Sequence, residues 1–417
     1  LKRKIKNSKG HIMRYFILVP DGAADLPMDE LSGKTPLEAA KTPGFDMVAE
    51  KSIIGNVRTV PLGIAPGSDA ANLAVMGYDP RVYLKGRSPL EAASIGVDLK
   101  DSDVTYRVNL VTLEGEGPYE DLIIKDHSSG DISTEEADIL IKEIQKLFGS
   151  EDFKFYTGTS YRHLLVIDHG DVSYDLTPPH DVLTDKTAQH LPRGEGSEVI
   201  RDLMMKSYQV LNNHPVNIRR EEKGLNKANS LWVWGAGTKP SMPGFYEKYK
   251  VKGSVISAVD LIKGIGILTG LKTINVKGAT GTLHTNYEGK KDAVIKAFQE
   301  GDEFVYLHME GPDECSHQGD LKGKIKSIEL IDERILTPVF EFLKEDKEPF
   351  RILILPDHRT PLSIRTHSSE PVPFLFYDSE DEKDNREKMR FTESDGTKGI
   401  MIEEGHRLAD LFFKKTE

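Results

Sequence analysis

The sequence has almost no cysteine: Cys315 is the single thiol in 417 residues. One cysteine can form neither an internal disulfide nor a multi-thiolate zinc site, which fits a reducing compartment and gives a cytoplasmic expectation. The chain also lacks any apolar run near the roughly 18 residues a membrane span needs, so no membrane partner is expected. Positive charge is in deficit, with 55 Lys and Arg against 67 Asp and Glu and a net charge of −12. That balance disfavours a surface built to coat nucleic acid. There is no G-x-x-x-x-G-K-[ST] loop, no repeat and no low-complexity tract. Gly264-Ile265-Gly266-Ile267-Leu268-Thr269-Gly270 misses the dinucleotide pattern by one residue and reads as close helix packing. What remains, at 38% hydrophobic and 29% charged, is the composition of a globular protein with two or three domains, or one large domain with an insertion.

Residues 1–12 hold Lys2, Arg3, Lys4, Lys6 and Lys9 without an acid or an apolar stretch, and read as a disordered leader before Met13. Beyond it, short apolar runs alternate with helical patterns, the signature of an α/β fold with a mostly parallel sheet flanked by helices. Three runs are buried-strand candidates: Tyr15 to Val19, Phe304 to His308, and Ile352 to Leu355. Each has an aspartate just beyond it: Asp21, Asp313 and Asp357. Ligands in open α/β sheets bind outside the carboxyl ends of strands, so these aspartates can converge from distant parts of the chain. That makes 13–102 and 229–417 one discontinuous core. The more polar stretch 103–228 then reads as an inserted α+β domain. Its clearest helix is Ser133 to Phe148, with capping-box spacing at Ser133 and Glu136 and an expected core stripe of Ile139, Leu140, Ile144 and Leu147. The charge run from Arg219 to Lys223 reads as a solvated face.

Asp313 and His317 are four apart, about 40° around a helix axis, and share a face. Cys315 points the other way. Asp357 and His358 are adjacent, and His367 follows nine residues after His358. Aspartate oxygens with neutral imidazoles suit Mn²⁺, Zn²⁺ and related divalent ions. Ser68 opens an Ala-rich helical stretch in Pro66-Gly67-Ser68-Asp69-Ala70-Ala71-Asn72-Leu73. Alone it reads as a helix cap, whereas beside a metal site it becomes a candidate nucleophile. The surrounding residues are not the G-x-S-x-G elbow of an α/β-hydrolase.

Together these stretches resemble the alkaline phosphatase superfamily, and within it the archaeal-type cofactor-independent phosphoglycerate mutases and their bacterial relatives. The likeness runs from about Tyr15 to about Leu411 and is strongest at Pro20-Asp21-Gly22, Gly33-Lys34-Thr35-Pro36-Leu37-Glu38, Pro66 to Pro80, Glu310 to Asp320, and Asp357 to Pro373. The resemblance implies an alkaline-phosphatase-like core with an inserted lid, and a phosphoserine at Ser68 beside two divalent ions, Mn²⁺ first with Zn²⁺, Co²⁺ or Mg²⁺ as alternatives. Asp313, His317 and His367 would hold one ion; Asp21, Asp357, His358 and Ser68 the other. It further implies interconversion of 3- and 2-phosphoglycerate without 2,3-bisphosphoglycerate. Candidate grips for the small phosphorylated substrate are Arg107 with Asn109, Arg162 with His163, and His180 with Asp181. Two positions depart from the pattern: Arg359 stands where typical mutases carry serine, and His284 where relatives often carry aspartate. A mutase-related bacterial subgroup proposed to phosphorylate homoserine also resembles the Ser68 and Asp357 stretches, so homoserine is the alternative substrate. The oligomeric state stays open.

Overall fold

The structure is a computed structural model that describes residues 12–383 and 388–414. All of the expected leader except Ile12 therefore lies outside the described residues. The chain divides into two compact units, Leu1–Leu84 with Ser241–Glu417, and Lys85–Pro240.

The first unit is built on an eight-stranded sheet. Across the sheet the strands run Ile400–Ile402, Ile53–Val57, Val372–Asp378, Phe350–Ile354, Arg14–Pro20, Phe304–Met309, Gly253–Ile256 and Lys272–Ile274. Only Val372–Asp378 runs antiparallel to its neighbours. The three strands singled out in the sequence are adjacent and parallel at the centre, with Leu18 opposite Ile354 and Val19 opposite His308. Phe16, Ile17, Leu18 and Val19 are fully buried, as are Ile352, Leu353 and Ile354. A continuous apolar strand of this kind is covered on both faces, which is why the sequence shows runs rather than alternation. All three strands end on the same edge of the sheet. Asp21 and Asp357 follow the last residues of two of them, and Asp313 lies in the helix Gly311–Gln318 that follows the third.

The second unit is an antiparallel sheet with helices. Its central strand, Asp103–Glu114, pairs with Arg162–Asp168, with Ser230–Thr238 and, at its far end, with Ile123–Asp126; Phe153–Thr159 joins at Arg162–Asp168. This explains why the unit is wider than the expected 103–228. Ser230–Thr238 is a full partner of the central strand, and the helix Ser88–Ser94 is tied to the same strand through Ser88 Oγ donating to the Thr105 carbonyl at 3.0 Å.

The expected helix runs Thr134–Phe148, capped by Ser133 Oγ, which accepts from Glu136 N at 3.2 Å. Its buried stripe is Ala137, Leu140, Ile141 and Ile144, while Ile139 and Leu147 are both 48% exposed. The 3.6-residue period accounts for Ile139, which sits about 100° away from Leu140 around the axis, whereas Leu147 keeps to the stripe and is exposed in the last turn of the helix. Arg220 in the charge run is likewise not solvated. It is buried, donating to Glu136 and to the Ser129 carbonyl.

Candidate active site

The helix Ser68–Val75 begins with Ser68 itself, and Gly67 occupies the N-cap in an extended conformation. Ser68 is therefore not the cap. Its hydroxyl lies 3.0 Å from Nε2 of His358, and the same helix places Asn72 so that its amide donates both to the Ser68 carbonyl at 2.8 Å and to Asp357 Oδ2 at 2.7 Å. Tyr306, on the strand Phe304–Met309, donates its hydroxyl to Asn72 Oδ1.

The hydrogen bonds around His358 fix its tautomer. Thr360 Oγ1 donates to Asp313 Oδ1 at 2.6 Å, so it accepts from Nδ1 of His358 at 3.1 Å. That leaves Nε2 of His358 with a free lone pair facing Ser68, 3.7 Å from Asp21 Oδ1 and 3.5 Å from Asp357 Oδ2. Burial pushes the His358 pKa down. His317 is oriented in the same manner: Nδ1 donates to the Arg365 carbonyl at 2.9 Å, and Nε2 points at Asp313 Oδ2, 3.2 Å away. His367 completes this set, with its Nε2 at 3.1 Å from that of His317 and 3.4 Å from Asp313 Oδ1. A ring nitrogen turned to a backbone carbonyl or hydroxyl while the other faces carboxylates is the arrangement that aims imidazole at a cation.

The donor set fits divalent ions. Asp21, Asp357 and His358 form one group with ligand atoms within 4.8 Å of one another, and Asp313, His358 and His367 form another, with His358 between them. Asp21 Oδ1 is buried without a hydrogen-bond partner among the described residues. A buried carboxylate oxygen so placed is costly unless a cation meets it. Burial, together with the nearby charges of Asp357 and Asp313, raises the Asp21 pKa well above the usual range. Burial acts on Asp357 in the same sense, but the flanking His358 and His308 outweigh it and hold Asp357 low. The carboxylate of Asp313 likewise pushes the pKa of His317 up to about 9.

Sequence reasoning missed several residues of this site. Asn72 and Thr360 bridge its parts, and polar side chains in such positions carry no spacing signal. His308 was read only as the end of a strand, yet it is fully buried with Nε2 at 3.4 Å from Asp21 Oδ2 and Nδ1 at 3.3 Å from Glu310 Oε1. Glu310 is in turn paired with the buried Lys290 at 2.6 Å. Gly22 has φ +63°, and a Cβ there would come within 2.6 Å of Thr360 Oγ1 and 2.8 Å of Asp313 Cα. Only glycine fits this turn. Arg359, one of the two departures, is spent on structure: its guanidinium donates to the carbonyls of Pro371 at 2.9 Å and Asp25 at 3.0 Å. His284 is exposed in the loop before the helix Tyr287–Gln299.

The inserted unit sorts its six candidates by strand alternation. Arg107 and Asn109, two apart, share a face of the central strand, where they lie opposite Trp234 and Trp232, and Arg162 joins them opposite Asn109. The Arg107 guanidinium stacks on Trp234 at 4.1 Å, and Glu91 accepts from its Nε at 3.0 Å. Asn109 Oδ1 accepts from Trp234 Nε1 at 2.9 Å and its amide donates to the His127 carbonyl at 2.9 Å. His180 sets its ring edge-on to Trp234 with centroids 5.2 Å apart. Neither remaining candidate belongs to this group. His163 is opposite Val108 and so on the other, apolar face, buried, with its pKa pushed down to about 3 by that burial. Asp181 is exposed, and its Oδ1 is 3.7 Å from His180 Nε2. Trp234, Glu91 and His127 were not foreseen, because what joins them is cross-strand pairing rather than sequence proximity.

Comparison with known proteins agrees with this geometry. Residues 49–217 match the family model described as 2,3-bisphosphoglycerate-independent phosphoglycerate mutase. A Geobacter sulfurreducens protein named a probable enzyme of that description is 47% identical over 97% of this chain and 100% of its own length. The enzyme of that name from Methanosarcina barkeri is 48% identical over 93% of this chain and 96% of its own. A solved structure from Pyrococcus horikoshii superposes with a TM-score of 0.80 at 29% identity, covering 98% of this chain and 99% of that one. With two relatives this similar along nearly their whole length, the chain belongs to the 2,3-bisphosphoglycerate-independent phosphoglycerate mutase family.

Proposed function

We propose that this chain interconverts 3-phosphoglycerate and 2-phosphoglycerate, with Ser68 as the residue that carries the phosphoryl group between the two hydroxyls. The observation that carries this reading is the Ser68 hydroxyl at 3.0 Å from a His358 nitrogen whose lone pair is fixed by Thr360, beside Asp21 and Asp357. Asp313, His317 and His367 would hold one divalent ion, and Asp21, Asp357, His358 and Ser68 the other. Two such ions would lower the pKa of the serine hydroxyl and neutralise charge on the transferring group. Ser68 Oγ attacks phosphorus as the bond to the glycerate 3-oxygen breaks, and the 2-hydroxyl later takes the phosphoryl group from Ser68. Asn72 holds Asp357 and the first turn of the Ser68 helix in register during both steps.

In the inserted unit Arg107, Asn109, Arg162 and His180 are assigned to the anionic groups of the substrate, since guanidinium bonds carboxylate and phosphate bidentately. Among the hydrogen bonds of the described residues Arg107 uses only its Nε, so the outer edge of its fork is available to an anion. The insertion is also the part of the chain suited to exclude water, which would turn a mutase into a phosphatase. Mn²⁺ suits the oxygen and imidazole donors first, with Zn²⁺, Co²⁺ and Mg²⁺ as alternatives, and 2,3-bisphosphoglycerate is not required. The reading includes a cytoplasmic location, supported by the single, buried Cys315. No helix among the described residues is long and apolar enough to cross a membrane. The names of the relatives favour phosphoglycerate over homoserine. The test is conversion of 3-phosphoglycerate by the metal-reconstituted protein, followed by coupling to enolase. Turnover is expected, and silence with all four ions would refute the assignment.

A further inference from the structure

Behind the candidate metal centre lies a buried polar knot that the reaction does not use. Lys324, on the helix Leu321–Ile331, is fully buried, and its ammonium donates to Asp25 Oδ2 at 2.6 Å and to the Thr360 carbonyl at 3.0 Å. Asp25, itself 1% exposed, is a hub. Its side chain also accepts from Leu26 N at 2.7 Å and from Leu362 N at 3.2 Å, its own N–H donates to Glu393 at 2.9 Å, and its carbonyl accepts from Arg359. The segments tied together are the ones that carry the ligands. Asp25 continues the turn that begins at Asp21, Thr360 and Leu362 belong to the loop from Asp357 to His367, and Lys324 follows the Asp313 to His317 helix. Thr360 is the point of transfer, since its carbonyl is gripped by Lys324 while its hydroxyl bonds both Asp313 and His358.

We infer that the buried Asp25–Lys324 pair is a positioning device for the metal centre: it fixes Thr360, and through Thr360 the spacing of Asp313 and His358, before any ion is bound. The physical case is that a buried ion pair is a poor source of net stability compared with an apolar pair of equal volume, because both charges must be desolvated. Such a pair does impose one geometry, and groups that orient metal ligands from behind typically govern affinity by about 10- to 100-fold. The inference rests on the two-ion reading of the site above.

The experiment is Co²⁺ titration of the metal-free full-length protein, followed by calorimetry and by visible absorption, with thermal unfolding as the control for folding. In the double variant Asp25→Asn with Lys324→Met, which removes both charges together, Co²⁺ affinity should fall about 10- to 100-fold and the absorption bands should change while unfolding stays cooperative. Affinity within twofold of wild type with an unchanged spectrum would overturn the inference. Should that variant not fold, Thr360→Val and Thr360→Ser decide: loss in the first and recovery in the second supports the inference, and wild-type binding in both overturns it. If the unmodified protein binds no Co²⁺, the metal-centre reading fails and this inference with it. Binding by wild type that the variants leave untouched refutes the positioning role alone.

Discussion

The two candidate binding regions are built by opposite means. In the first unit, carboxylates and imidazoles lie at the ends of adjacent parallel strands, buried and cross-braced by Asn72, Thr360 and the Asp25–Lys324 pair. In the inserted unit, one face of an antiparallel sheet presents Arg107, Asn109 and Arg162 around Trp234, with His180 half exposed beside it. The first arrangement gathers carboxylate oxygens and imidazole nitrogens within ligand distance of one another and suits cations. The second offers guanidinium and ring edges and suits anions. A phosphoryl-transfer enzyme needs both, and the difference predicts that damage to the first region stops chemistry whereas damage to the second weakens substrate binding.

The sharpest break between the regions is Ser68→Ala, which should lower kcat by on the order of 10⁴-fold or more while leaving metal content largely intact, since Asp21, Asp357 and His358 remain. The coupled assay and elemental analysis check this together, and substantial residual turnover would end the role of Ser68. Removal of metal comes next. A chelated protein should be inactive, recover on adding Mn²⁺ or Co²⁺, and unfold at lower temperature than the loaded form, since ligands that bind only the folded state stabilise it. Equal melting temperatures would argue against a centre at these residues.

In the inserted unit, Arg107→Ala should raise KM about 10- to 100-fold with a smaller change in kcat, the cost of a charged hydrogen-bonded contact of about 1.5–3 kcal/mol. Lysine at the same position should rescue poorly, because it can neither bond an anion bidentately nor stack flat on Trp234. A fall confined to kcat would place Arg107 with the chemistry instead. The smallest kinetic effect is expected at His163, where His163→Gln should leave kcat and KM within about twofold.

That last variant should nonetheless alter the pH dependence of stability. The His163 pKa is about 3 in the folded protein, below the ordinary value of 6.5, because burial penalises the charged ring. Between these values the unfolded chain binds the proton and the folded one does not, so stability falls as pH drops below 6.5 and the loss is complete near pH 3. At pH 5 the wild type should have lost on the order of 2 kcal/mol that the glutamine variant keeps, measurable by urea unfolding. Identical pH profiles would show that the ring is not held neutral by burial.

The same contrast explains what could be read without a structure. The nearness of Asp21, Asp313, His317, Asp357 and His358 was legible because strand ends and the i, i+4 helix spacing determine where such side chains go, whereas His367 lies in a loop and only its spacing after His358 drew notice. Arg162 and His163 are neighbours in the sequence and look like a pair there, but adjacency in a strand sends them to opposite faces. The breadth of the insertion was underestimated because Ser230–Thr238 reads as an apolar strand with no mark of its partner, and its pairing with Asp103–Glu114 is a long-range choice. Thr360 and Asp25 were invisible for a related reason, as their importance lies in contacts with residues distant in the chain.

The most direct test of the central claim is to quench the metal-loaded protein during turnover of phosphoglycerate and map the phosphorylated peptide by mass spectrometry. A phosphoryl group on Ser68, absent in Ser68→Ala, is the predicted result. Turnover with no phosphorylated residue, or with the phosphoryl group on another side chain, would contradict the account.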